Sequence, residues 1–148
     1  MKETMKKIFN LCVIILVSTI FFTGCANRIG ATIDPSTKLS NLKTMVVKVS
    51  ATDNTNTHMF IADSLRAKGV TVSTDAKAVP TNYDALVTYI ENWKWDMSMY
   101  LLELTVTLRD PKTEKPLAMG NAYHTSLTRR SPKEMSIEVV DAIYKDVK

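Results

Sequence analysis

The chain has 148 residues, 45% of them hydrophobic and 23% charged, which is the make-up of one folded domain of ordinary size rather than of a disordered segment. Its formal charge is +4, and Lys2, Lys6 and Lys7 against Glu3 supply +2 of that within the first 24 residues. The remainder is too weakly and too diffusely basic for a nucleic-acid footprint, so nucleic acid is excluded as a partner.

Met1–Lys7 is a short basic head, and Ile8–Phe22 is an apolar run interrupted only by Asn10, Ser18 and Thr19. The run is shorter than the roughly 20 apolar residues that a membrane-spanning helix needs, and small residues follow it. Residues 1–24 therefore read as an export signal. The order Phe22-Thr23-Gly24-Cys25 resembles the bacterial lipobox, with Phe22 standing where Leu is usual. The resemblance implies that Cys25 takes a diacylglyceryl group on its thiol, that the signal is cut before it, and that the new amino group is acylated. Two or more acyl chains hold a protein stably, at about 0.8 kcal/mol per buried methylene, whereas one chain binds marginally. In the lipoproteins so resembled, Asp after the cysteine favours the inner membrane. Ala26 and Asn27 follow here, which points to the outer membrane and its periplasmic side. Cys12 lies in the segment to be removed, so no thiol remains for a disulfide.

Residues 25–42 are rich in Gly, Thr, Ser, Asn and Asp, carry Pro35, and show no steady period. They read as a flexible tether before a domain at 43–148. About seventeen flexible residues span roughly 20–25 Å on average.

Thr44–Ser50 has a β-branched apolar centre and reads as a strand. Asp53–Thr57 can cap a helix over His58–Lys68, where Ile61, Ala62 and Leu65 fall at helical spacing and Gly69 stops it. Val70–Val72 is a second strand, which makes a βαβ unit. Asp75–Asn82 is a loop. Asp84–Trp95 and Tyr100–Arg109 are the clearest strands, the latter alternating Tyr100, Leu102, Leu104, Val106 and Leu108 with more polar residues, as a sheet covered on one face requires. Asp110–Lys115 turns the chain into a last strand, Leu117–Leu127. Ser131-Pro132-Lys133-Glu134 then opens a helix with a capping box and a proline at its first position. The expected fold is α+β: a two-layer sandwich with a mixed sheet of about five strands and two helices, in the order β-α-β-β-β-β-α.

From Tyr83 onward, the WxWD turn at Trp93–Asp96, the hairpin ending in Leu108-Arg109-Asp110 and the SPxE-capped helix resemble small bacterial envelope lipoproteins of uncharacterised function. The layout is also similar to lipoproteins that serve as accessory subunits of outer-membrane machines.

Few residues carry chemistry. Tyr89, Trp93 and Trp95 share one face of a strand. An even-length loop at Asp96–Met99 continues that face into the apolar side of the next strand, and packing is the favoured reading. A three-residue loop inverts the parity, puts Leu86 and Ile90 in the core, and leaves the tryptophans with Leu101 as an open aromatic patch for a small ligand, lipid or glycan. Arg129 and Arg130 precede a helix N-terminus, where a phosphate or carboxylate is welcome, although a solvated pair in a loop needs no such reason. His58 and His124 stand apart, without the three or four ligands of a zinc site. No phosphate loop or nucleophile elbow occurs. The sequence thus points to a non-enzymatic interaction domain without cofactor or metal. Its partners are the membrane, through lipid on Cys25, and an envelope protein.

Overall fold

The computed structural model describes residues 27–74 and 80–147. The expected export signal, Cys25 and residues 75–79 of the expected Asp75–Asn82 loop lie outside these residues. The described residues form six strands and two α-helices: β1 (Arg28–Ile33), β2 (Thr44–Val47), α1 (Thr57–Ala67), β3 (Thr71–Ser73), β4 (Ala85–Asp96), β5 (Ser98–Arg109), β6 (Pro116–Tyr123) and α2 (Pro132–Tyr144). They form one sheet in the order β1-β6-β5-β4-β2-β3. β2 lies parallel to both β3 and β4, and the other neighbours are antiparallel. Both helices cover one face, so the expected α+β sandwich with its βαβ unit is the observed fold.

One expectation is corrected. Arg28–Ile33, read as tether, is the edge strand β1, so residues well ahead of 43 belong to the sheet. Ile29, Ala31 and Ile33 face the helix side, opposite Ala122, Gly120 and Ala118 of β6. Small residues on both strands let α2 lie close above them, and the ladder bonds hold a strand that has little apolar surface to bury. Past its end, the Asp34 amide donates to the Leu117 carbonyl at 2.9 Å, and Lys115 Nζ meets the Asp34 carboxylate at 2.6 Å. That ammonium and the Ser36 hydroxyl and amide hold the Asp34 carboxyl well below the usual range.

α1 ends as Gly69 predicts. Gly69 takes a φ of +82°, its amide donates to Arg66, and the Val70 amide reaches back to Leu65. These two bonds make a Schellman motif, closed by Leu65 and Val70 joining the core. At α2, the Glu134 amide donates to Ser131 Oγ at 3.2 Å while the Ser131 amide donates to Glu134 Oε2 at 2.9 Å. Ser131→Ala is expected to destabilise the fold by about 1 kcal/mol, read from urea unfolding. A lower midpoint with no change in the unfolding slope is the signature of losing the Oγ cap while the backbone amide bond to Glu134 remains.

The core fills the space between the helices and the sheet. Ile61 and Leu65 from α1 and Met135, Val139, Val140 and Ile143 from α2 meet Val87, Leu104, Val106 and Leu108 of the central strands, all with essentially no exposure. The far face of the sheet is mostly polar, and Asn121 Nδ2 donates there to both Glu103 and Thr105.

Candidate functional site

The β4–β5 hairpin is longer than its neighbours, and its end decides where the predicted site residues lie. β4 runs to Asp96 and β5 starts at Ser98, so Met97 alone separates the paired Asp96 and Ser98, in a left-handed conformation with φ +57°. This odd turn sets Trp93 opposite Leu101 and Trp95 opposite Met99. A bulge at Leu102 then shifts the register, so that Glu91, Tyr89 and Val87 face Leu104, Val106 and Leu108. Neither simple parity holds along the whole hairpin: Leu101 is buried with the tryptophan face, and Val87 and Tyr89, not Leu86 and Ile90, enter the core.

The three aromatics therefore have three environments. Tyr89 is buried and belongs to a polar cluster under the start of α1. Its hydroxyl donates to Asp53 Oδ2 at 2.7 Å and accepts from the Ser50 amide at 3.0 Å. The Asp53 side chain has no exposure. It also accepts from the amides of Thr55, Thr57 and His58, and meets His58 Nδ1 at 2.6 Å. Burial alone would raise the Asp53 carboxyl, but the His58 amide, the Tyr89 hydroxyl and the His58 ring outweigh it and hold the carboxyl well below the usual range. Burial first, and then the Asp53 carboxylate, push the Tyr89 phenol up. Asp53 is thus the cap of α1 and its tie to the sheet.

Trp93 is partly buried against the core. Trp95 is 72% exposed at the hairpin end. Met97 is 90% exposed and Met99 58% exposed, and neither was singled out by the sequence reading. Leu127, 86% exposed, joins them as a residue of the loop after β6. A signal for the pair of methionines exists in hindsight: the alternation Trp93, Trp95, Met97, Met99 carries apolar residues through a turn, where polar ones are usual.

Arg129 and Arg130 do not converge on an empty anion site. The Arg129 guanidinium donates to the Asp96 carbonyl, to Ser98 Oγ and to the Ser126 carbonyl, and lies over the Tyr100 ring at 4.6 Å from its centroid. It fastens the hairpin tip to the loop that leads into α2. Arg130 pairs with Glu134 at 3.4 Å and Glu138 at 3.7 Å. The N-terminus of α2 is already served by Glu134.

The loop that Arg129 fastens also holds the start of the described chain. The His124 amide donates to the Leu102 carbonyl at 2.9 Å, which carries the segment past β6 along the hairpin. A short 3-10 turn at Ser126–Thr128 follows, in place of the expected strand end. Thr128 Oγ1 then donates to Asn27 Oδ1. His124 is buried, with Nε2 at 2.6 Å from Glu138. Among the described residues, no group of three or more His, Cys, Asp and Glu could hold a metal ion. None of the described helices is long and apolar enough to cross a membrane.

No protein-family profile matches the chain, and no curated protein sequence matches it. Solved structures do share its fold. It is similar to the PelC dodecamer from Paraburkholderia phytofirmans at 16% identity and a TM-score of 0.54, over 80% of this chain and 96% of that one. It is also similar to a PDZ domain protein from Parabacteroides distasonis at 13% identity and a TM-score of 0.53, over 84% of this chain and 38% of that one.

Proposed function

We propose that this chain is an envelope lipoprotein, cut before Cys25 and held by lipid to the periplasmic side of the outer membrane, whose domain acts without catalysis as an accessory of an envelope assembly. The lipobox-like order Phe22-Thr23-Gly24-Cys25 supports the anchor. The observation that carries the rest is the position of β1: the chain enters the sheet at Arg28, three residues after Cys25. A lipid on Cys25 then holds the folded domain against its membrane, where a partner must also lie. The fold shared with PelC, solved as a dodecamer, supports self-assembly, and β1 and β3 are the outer strands of the sheet, where a further strand can pair. The small-ligand alternative has only Trp95 to offer, since Tyr89 and Trp93 are taken up by the interior.

Detergent extraction of the lipidated protein, pull-down and mass spectrometry test this reading. A membrane protein co-eluting in fixed ratio, or a stable multimer of the chain, is the expected result. A monomer that elutes alone under mild extraction would sink it.

A further inference from the structure

The sheet end bearing Trp95, Met97 and Met99 is the same end from which the chain leads back to Cys25. Three links establish this. Arg129 binds the hairpin tip through the Asp96 carbonyl and Ser98 Oγ. Thr128, its neighbour in the chain, donates to Asn27. Asn27 stands two positions after Cys25, and two steps of chain reach at most about 7 Å whatever their conformation.

The three most exposed large apolar side chains among the described residues, Met97, Leu127 and Trp95, belong to this end. Trp95, Met97, Met99 and Leu127 are exposed at 72%, 90%, 58% and 86%. An apolar group of this kind at one tip calls for a covering surface. Arg129 stands beside it, its guanidinium on the Asp96 carbonyl and Ser98 Oγ, and Arg130, next in the chain, pairs with Glu134 and Glu138. A tryptophan among exposed apolar side chains, with an arginine beside it, fits the boundary between acyl chains and headgroups.

We infer that the β4–β5 tip, together with Leu127, is a membrane-docking surface that seats in the headgroup layer of the bilayer carrying the lipid on Cys25. The inference rests on the lipid-anchor reading, because a lipidated Cys25 leaves this end no room to turn away from the bilayer. Docking at a second point fixes the orientation of the domain. Its sheet edges then stand at a set height above the membrane.

The test uses the full-length lipidated protein in vesicles of phosphatidylethanolamine and phosphatidylglycerol, with and without bromine on the acyl chains. Bromine quenches tryptophan only on near contact. Wild-type emission is expected to be blue-shifted and to fall roughly twofold in brominated vesicles, as insertion to the acyl boundary requires. Trp95→Phe leaves Trp93 as the reporter and is expected to lose most of the quenching. Met97→Asp, which the left-handed turn accepts, should redden the Trp95 emission and reduce its quenching. Blue emission without quenching means that a second copy or another protein covers the tip, and overturns the inference. Red emission without quenching means that the tip faces water, with the same consequence. The mass of the N-terminal peptide from the same sample separates the two readings. A lipidated Cys25 without quenching defeats the docking surface alone, and an unmodified Cys25 defeats the anchor.

Discussion

Asp53→Ala is expected to lower the stability of the fold by about 3 kcal/mol, the largest loss foreseen for a polar side chain here. The carboxylate is fully buried and accepts from the Tyr89 hydroxyl, the His58 ring and the amides of Thr55, Thr57 and His58. Its removal leaves those donors unsatisfied in the interior, which costs more than the bonds themselves contributed. It also frees α1 from β4, since no side chain of the N-terminal residue Asn56 caps the helix. Urea unfolding at neutral pH measures the loss, and hydrogen exchange should localise it to α1. Asp53→Asn separates charge from shape. The folded-state carboxyl titrates below its unfolded value, so its contribution is complete above the unfolded pKa of about 4 and is lost as pH falls through the folded value. The wild-type protein should therefore weaken steeply below about pH 4. The Asn variant should be weaker at neutral pH and fall less steeply in acid. Parallel acid limbs for the two proteins would mean that Asp53 is not the ionised hub described.

The second large effect is at Gly120. A Cβ built there would meet Val139 Cγ1 and Ile143 Cγ1, both at 2.8 Å, and Ile143 Cδ1 at 3.0 Å. Both neighbours are fully buried and have nowhere to move. Gly120→Val is expected to destabilise by about 3 kcal/mol through overpacking, and Gly120→Ala by about 1–2 kcal/mol. Ile143→Ala removes Cγ1 and Cδ1, two of the three crowding atoms, and should cost less in the Gly120→Ala background than alone. A thermal melt that leaves Gly120→Val unchanged would contradict the close approach of α2 to β6.

Strand and helix content was legible wherever a period of 2 or 3.6 coincided with a stop or start signal. Gly69 and Ser131-Pro132-Lys133-Glu134 are such signals, and both helices end or begin where they direct. β1 escaped because its sequence, Arg-Ile-Gly-Ala-Thr-Ile, is small, sits among polar residues, and gains its place from ladder bonds to β6 rather than from burial. No local pattern announces a strand whose stability is supplied by a partner ninety residues away in the chain. The hairpin face was ambiguous for a different reason. Parity depends on the turn and on the bulge at Leu102 together, and a bulge leaves no mark in the alternation of Leu101, Leu102 and Leu104. The proposed lipid anchor rests on four adjacent residues, Phe22 to Cys25, which lie outside the described part of the chain. The exposed tip was not legible, because Met97 and Met99 look like strand residues until the loop from Leu127 to Arg129 is seen beside them. Arg129, read as a candidate anion ligand, has its donors taken by the backbone and Ser98.

The proposed anchor and the docked tip both require Cys25 to be a lipid-bearing N-terminus three residues ahead of β1. Intact mass spectrometry of the protein taken from envelope membranes tests it most directly, with Cys25→Ala alongside. A mature chain beginning at Cys25, with the mass of a diacylglyceryl group and further acyl chains, is the predicted result, together with retention of the uncut, unlipidated precursor in the variant. A mature protein that begins elsewhere, or carries Cys25 as a free thiol, would contradict it.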